Sequence, residues 1–140
     1  YLWARKEFQN ISKCYDCGIP VVKPRHVSKN ILIMDFEGKD GKPENTLLES
    51  EIDENDYHQS IELISDLFKK AKLVHGDFSE YNIFKTKNGL KLFDLGSAVD
   101  TTHPNTMNFL KRDINNITNF FVKRGLTVEN PADILERITK

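Results

Sequence analysis

The sequence predicts an α+β fold in which helices dominate and strands come in small pairs. Three observations predict it. Long stretches place apolar residues at helical spacing, Tyr57, Ile61, Ile64, Phe68 and Ala71 in one and Leu110, Ile114, Ile117 and Phe121 in another. Between them lie apolar runs too short for helices, at residues 30–36 and at Leu90-Lys91-Leu92-Phe93. Asn88-Gly89, a dipeptide favoured in tight reverse turns, separates two such runs.

The elements follow in order. Leu2 to about Cys17 reads as a helix, with Phe8, Ile11 and Tyr15 on one face and Trp3 and Glu7 on a neighbouring one. Gly18 stops it, because glycine accepts a left-handed backbone. Ile19-Pro20-Val21-Val22 runs extended, since proline turns its predecessor away from helix. Residues 30–36 form a buried strand, and Gly38 to Pro43 is turn-rich. Asp53 caps a helix from Glu54 to Ala71. Leu73-Val74 is a short strand, and Ile83–Lys85 with Leu90–Asp94 make a hairpin. A helix covers Thr106 to Lys123 and closes at Gly125, and Asn130-Pro131 starts a short last one.

Composition narrows the class. The 140 residues are 39% hydrophobic and 29% charged, an ordinary globular balance. Twenty Lys and Arg against 21 Asp and Glu give a net charge of -1, so no global nucleic-acid field is expected. No apolar run is long enough to span a bilayer and no signal peptide opens the chain, which predicts a cytoplasmic protein with no membrane partner. Cys14 and Cys17 make a C-x-x-C without the two further ligands zinc needs, and read as ordinary thiols. Lys111-Arg112 and Lys123-Arg124 read as surface charge. A chain that opens on Tyr1 rather than Met is expected to lack part of its natural N-terminus.

The chemistry concentrates in His75-Gly76-Asp77-Phe78-Ser79-Glu80-Tyr81-Asn82 and in Asp94 further on. Phosphoryl transfer needs one carboxylate by the attacking hydroxyl, and an amide plus a second carboxylate to hold Mg²⁺ against the phosphates. Asp77, Asn82 and Asp94 have those residue types in the order H-x-D-x-x-x-x-N, hairpin, Asp. Alone, Asp77 would read as a turn aspartate bonding its own backbone. The following Asn82 and Asp94 tip the balance. His75 reads as structural rather than as a general base. Gly96 is expected to give Asp94 a flexible or left-handed neighbour.

These residues resemble the RIO family of atypical protein kinases. The stretch from Leu73 to Ile83 is similar to its catalytic loop, and Trp3 to Asn10 looks like its helix C. Gly18 to Pro24 and Ile33 to Gly41 resemble the segment after helix C and the hinge between lobes. His103-Pro104, Phe109 to Asp113 and Asn119-Phe120-Phe121 continue the resemblance, which runs from about Trp3 to Leu126. Ser79-Glu80-Tyr81 and the hinge favour the Rio-one-like branch.

The resemblance implies a protein-kinase-like fold, with residues 1–36 as a remnant of the N-terminal lobe and residues 37–140 as a mostly helical C-terminal lobe. It implies Asp77 as the catalytic aspartate, and Asn82 and Asp94 as holders of Mg²⁺, with Mn²⁺ as an alternative. Met34, Asp35, Glu37, Phe84 and Phe93 would line the ATP site. Glu7 would pair with a phosphate-binding lysine, and His75 and Asp113 would support the loop. The implied function is an ATP-dependent serine kinase or ATPase, acting on a protein substrate or on itself, in maturation of the small ribosomal subunit. Transient phosphorylation of the metal-loop aspartate belongs to the same expectation. The implied partners are ATP and the protein and rRNA of the pre-ribosome.

The sequence departs from the family in three ways. The glycine-rich loop and its lysine precede helix C there and are not among these 140 residues, so little activity is expected of this stretch alone. Glu37 stands where an apolar residue is usual, and Phe93-Asp94-Leu95-Gly96 replaces a more common Ile-Asp run. Two rival functions remain open. One is a small-molecule phosphotransferase of the aminoglycoside or choline kinase type. The other is a non-catalytic module that docks on pre-ribosomes.

Overall fold

A computed structural model describes residues 2–28, 31–34, 38–39 and 42–140, with side chains described for 4–25 and 44–140. Four α-helices stand among the described residues: α1 (Leu2–Asp16), α2 (Glu54–Asp66), α3 (Thr106–Lys123) and α4 (Pro131–Thr139). The strands pair antiparallel, two at a time. They are β1 (Pro24–Ser28) with β2 (Ile31–Met34), and β3 (Gly38–Lys39) with β4 (Lys42–Pro43). Beyond α2, β5 (Leu73–Val74) pairs with β8 (Val99–Asp100), and β6 (Ile83–Thr86) pairs with β7 (Gly89–Leu92).

The buried face of α1 is Ala4, Glu7, Ile11 and Cys14, a step of three or four residues. Of the expected face of Phe8, Ile11 and Tyr15, Ile11 is buried, Phe8 is half-buried and Tyr15 is 43% exposed. Ala4 and Cys14 are small enough to let the helix backbone approach its neighbours. Gly18 ends the helix at φ +78, as expected. The extended segment after it lies along β7, where Val22 N–H donates to the Leu92 carbonyl at 2.9 Å and Leu92 N–H to the Pro20 carbonyl at 3.0 Å.

Asp53 caps α2 by accepting the Asp56 N–H at 2.9 Å, and Asp56 reciprocates toward the Asp53 N–H at 3.0 Å. The helical path predicted to Ala71 is continuous, but its last five residues, Leu67–Ala71, widen to a π-helical turn. The turn ends on Lys72 in the left-handed region, at φ 57. Lys85 Nζ meets Asp56 Oδ2 at 2.7 Å and the Glu51 carbonyl at 2.7 Å, tying β6 to the start of α2. Arg124, expected as surface charge, donates to the carbonyls of Ser50 and Leu48 with its guanidinium 4.8 Å from the Phe120 ring centroid.

One continuous core joins these pieces. Ile11, Cys14, Ile19 and Val21 pack in the same cluster as Ile61 and Ile64 of α2, Ile83 and Leu92 of the hairpin, Ile114 and Ile117 of α3, and Ile134 of α4. Residues His75 to Asn82 run between β5 and β6, directly over α3.

Candidate active site

The loop from His75 to Asn82 leaves almost no main-chain polar group uncommitted where Asp77 sits. Asp113, buried on α3, accepts the N–H of Gly76 at 2.9 Å and that of Phe78 at 3.1 Å. Burial pushes the Asp113 carboxyl up to about 6, opposed by those two N–H bonds and by the Arg112 charge. The Asp77 N–H donates to His75 Nδ1 at 3.1 Å, and the Asp77 carbonyl accepts the Asn82 side-chain amide at 2.6 Å. The Asp77 carboxylate itself is exposed to solvent.

Because His75 Nδ1 accepts, its proton resides on Nε2, which donates to the Asp94 carbonyl at 2.5 Å. Burial holds this imidazole below its ordinary pKa and therefore neutral. With both nitrogens occupied by backbone, His75 bridges the two loops and is not placed to shuttle protons. Gly76 takes φ +82, and a Cβ there would come within 3.1 Å of the Ser97 carbonyl. Only glycine lets these loops approach so closely.

Asn82 spends its amide nitrogen on Asp77, which leaves its carbonyl oxygen as a hard donor. Asp94 lies just past β7, half-buried, with one carboxylate oxygen accepting the Gly96 N–H at 3.1 Å. Of the two alternatives expected for Gly96, a flexible or a left-handed backbone, it does not take the left-handed one. Its role is that N–H, which closes a turn on Asp94, and the positive φ belongs to Gly76 instead. An amide oxygen and a carboxylate suit Mg²⁺, which takes few protein oxygens and keeps water or phosphate at its other positions. No group of three or more His, Cys, Asp or Glu side chains poised for a metal occurs among the described residues.

Glu7 is 4% exposed, and its Oε2 has no hydrogen-bond partner among the described residues. Burial and then the Asp94 charge push its carboxyl above the usual range, partly offset by the Leu95 N–H. A buried carboxylate beside a second one calls for a cation, so the residues fit the ammonium group implied for this position. Phe84 and Phe93 stack at 4.1 Å between centroids and form a half-buried apolar surface on the hairpin. Met34 lies in β2 with its side chain outside the description, and Asp35 and Glu37 lie outside the described residues.

Two contributors were not read from the sequence. Asn10, one turn beyond Glu7, donates to the Leu95 carbonyl at 3.2 Å and ties α1 to the Asp94 loop. Arg112, read as surface charge, donates through Nη2 to the Gly76 carbonyl. Position on α3 next to Asp113 was the available signal for Arg112.

Comparison with known proteins agrees with this geometry. The profile described as the RIO domain matches residues 1–134. The chain is 36% identical over 140 residues to the probable serine/threonine-protein kinase RIO1 homolog of Encephalitozoon cuniculi, covering 99% of this chain and 36% of that protein. It is 38% identical over 139 residues to the RIO-type serine/threonine-protein kinase Rio1 of Thermoplasma acidophilum, covering 99% of this chain and 73% of that one. Among solved structures, the Rio2 kinase–ADP/Mg²⁺–phosphoaspartate complex from Chaetomium thermophilum superposes with a TM-score of 0.76 at 26% identity. That match covers 96% of this chain and 44% of the other. The chain thus spans about a third of its E. cuniculi relative.

Proposed function

Because the chain belongs to the RIO family of serine/threonine-protein kinases, we propose that it carries the phosphoryl-transfer site of an ATP-dependent serine kinase or ATPase. The observation that carries this reading is the exposed Asp77 carboxylate on a main chain held by His75, Asn82 and Asp113, with Asp94 joined to the same imidazole. In this reading Asp77 orients the attacking hydroxyl and accepts its proton. Asn82 and Asp94 would hold Mg²⁺, and Glu7 would hold a lysine ammonium against the nucleotide phosphates. Mg²⁺, when bound, would neutralise charge developing on the transferred group. Phe84 and Phe93 offer the apolar surface an adenine ring needs. The ADP and Mg²⁺ of the C. thermophilum complex support that cofactor pair here.

Action on pre-ribosomal particles, in the cytoplasm, is the setting we propose from the family resemblance. The test uses the full-length protein with Mg²⁺-ATP. Asp77→Asn is expected to lower phosphoryl transfer by roughly 100-fold or more while calorimetric ATP affinity stays within about threefold. Unchanged turnover in that variant would sink the proposal.

A further inference from the structure

Asp77 is flanked by main-chain groups with five different bonds to side chains. Gly76 N–H and Phe78 N–H go to Asp113, Asp77 N–H to His75, and the Asp77 carbonyl to Asn82. The fifth, the Gly76 carbonyl, is the acceptor in the peptide group that leads directly into Asp77. Arg112 Nη2 donates to it. Arg112 and Asp113 are consecutive on α3, so one helix turn grips that peptide from its acceptor side and its neighbours from their donor sides.

The grip of Arg112 is itself held. Its guanidinium carbon lies 5.0 Å from the Phe109 ring centroid, and His103 lies against the same ring at 5.5 Å between centroids. A planar cation held over an aromatic face loses less freedom on bonding a carbonyl than a loose side chain would. His103 is fixed in turn, because its Nδ1 accepts the Asn105 N–H at 3.0 Å and its carbonyl accepts the Thr106 hydroxyl at 2.7 Å. The stack therefore runs from the 101–105 turn through Phe109 and Arg112 to the catalytic loop.

We infer that Arg112 is a positioning residue for phosphoryl transfer, setting the plane of the Gly76–Asp77 peptide and so the direction of the Asp77 carboxylate. The inference rests on the function proposed above. Gly76 is the loop residue with the greatest torsional freedom, and it is held at φ +82. A bond at its carbonyl restrains the peptide rotation that would swing Asp77. Unlike Asp113, Arg112 is exposed, so its removal empties no core position.

The experiment compares full-length wild type with Arg112→Ala and Arg112→Lys by amide hydrogen exchange and by steady-state transfer from ATP. In Arg112→Ala the amides of Gly76, Asp77 and Phe78 should exchange about tenfold faster, with those of Ile114 and Ile117 unchanged. The same variant should lose about tenfold in kcat with KM for ATP within about twofold, and Arg112→Lys should recover part of both losses. Unchanged exchange at the three loop amides would overturn the inference. So would faster exchange spread equally into α3, or faster loop exchange with kcat intact. If wild type turns nothing over, the proposed function fails, and the positioning of Asp77 for transfer falls with it. The exchange result then says separately whether Arg112 holds the loop.

Discussion

Asp113 shows how one carboxylate can hold a loop at a cost to stability. It accepts two peptide N–H groups from a buried position, and its pKa is raised to about 6. The folded state therefore binds this proton more tightly than the unfolded chain does. Stability from this group is highest below the unfolded value near 4 and falls as pH rises toward 6, by on the order of 3 kcal/mol. Asp113→Asn removes the titration, so its urea midpoint should vary less between pH 4 and pH 6.5 than that of wild type. A slope identical in both proteins would contradict the assignment. Glu7 belongs to the same class, with burial and Asp94 both opposing its charge. Glu7→Gln is expected to raise the melting temperature of the 140-residue chain at pH 7, because the amide removes a buried charge whose Oε2 has no partner among the described residues. No increase would mean that Glu7 is already neutral or paired.

At the scale of elements, the end of α2 offers a direct test of backbone preference. Lys72 stands at φ 57 and ψ 43, a conformation that costs a β-carbon-bearing residue about 1 kcal/mol and glycine almost nothing. Lys72→Gly should stabilise the chain by a few tenths to about 1 kcal/mol after the added freedom of the unfolded glycine is counted. Chemical denaturation would measure it, and a loss of stability would count against the left-handed assignment. The other helix boundaries were legible because caps and stops are local: Asp53, Gly18, Gly125 and Asn130 act on groups within a few residues. The hairpin around Asn88-Gly89 was legible for the same reason. What escaped was pairing at a distance. Val99 and Asp100 carry no alternating pattern, and they become β8 only because Leu73 and Val74 lie alongside. The buried face of α1 escaped because its stripe includes Glu7, whose charge argues against burial until the Asp94 loop is placed beside it. The order of Asp77, Asn82 and Asp94 was visible in the chain, whereas Arg112 and Asn10 act through contacts that no spacing encodes.

For the molecule as a whole, the shared core makes α1 part of the same cooperative unit as α3 and the hairpin. Ile11 is fully buried at that junction. Ile11→Ala should cost about 2–5 kcal/mol, and circular dichroism and tryptophan fluorescence from Trp3 should follow one coincident transition in wild type and variant. Two separated transitions would mean that α1 folds independently. The segment that joins α1 to this unit has a further effect. Residues 20–22 lie bonded along β7, two residues before Asp94, while Asn10 fastens α1 to Leu95 just beyond it. The backbones that carry Glu7 and Asp94 are thus tied to each other on both sides of Asp94, and the segments cannot drift apart to relieve the Asp94 charge that Glu7 feels. A proton or an arriving cation relieves it instead, so the tethers turn a held spacing into an affinity for positive charge.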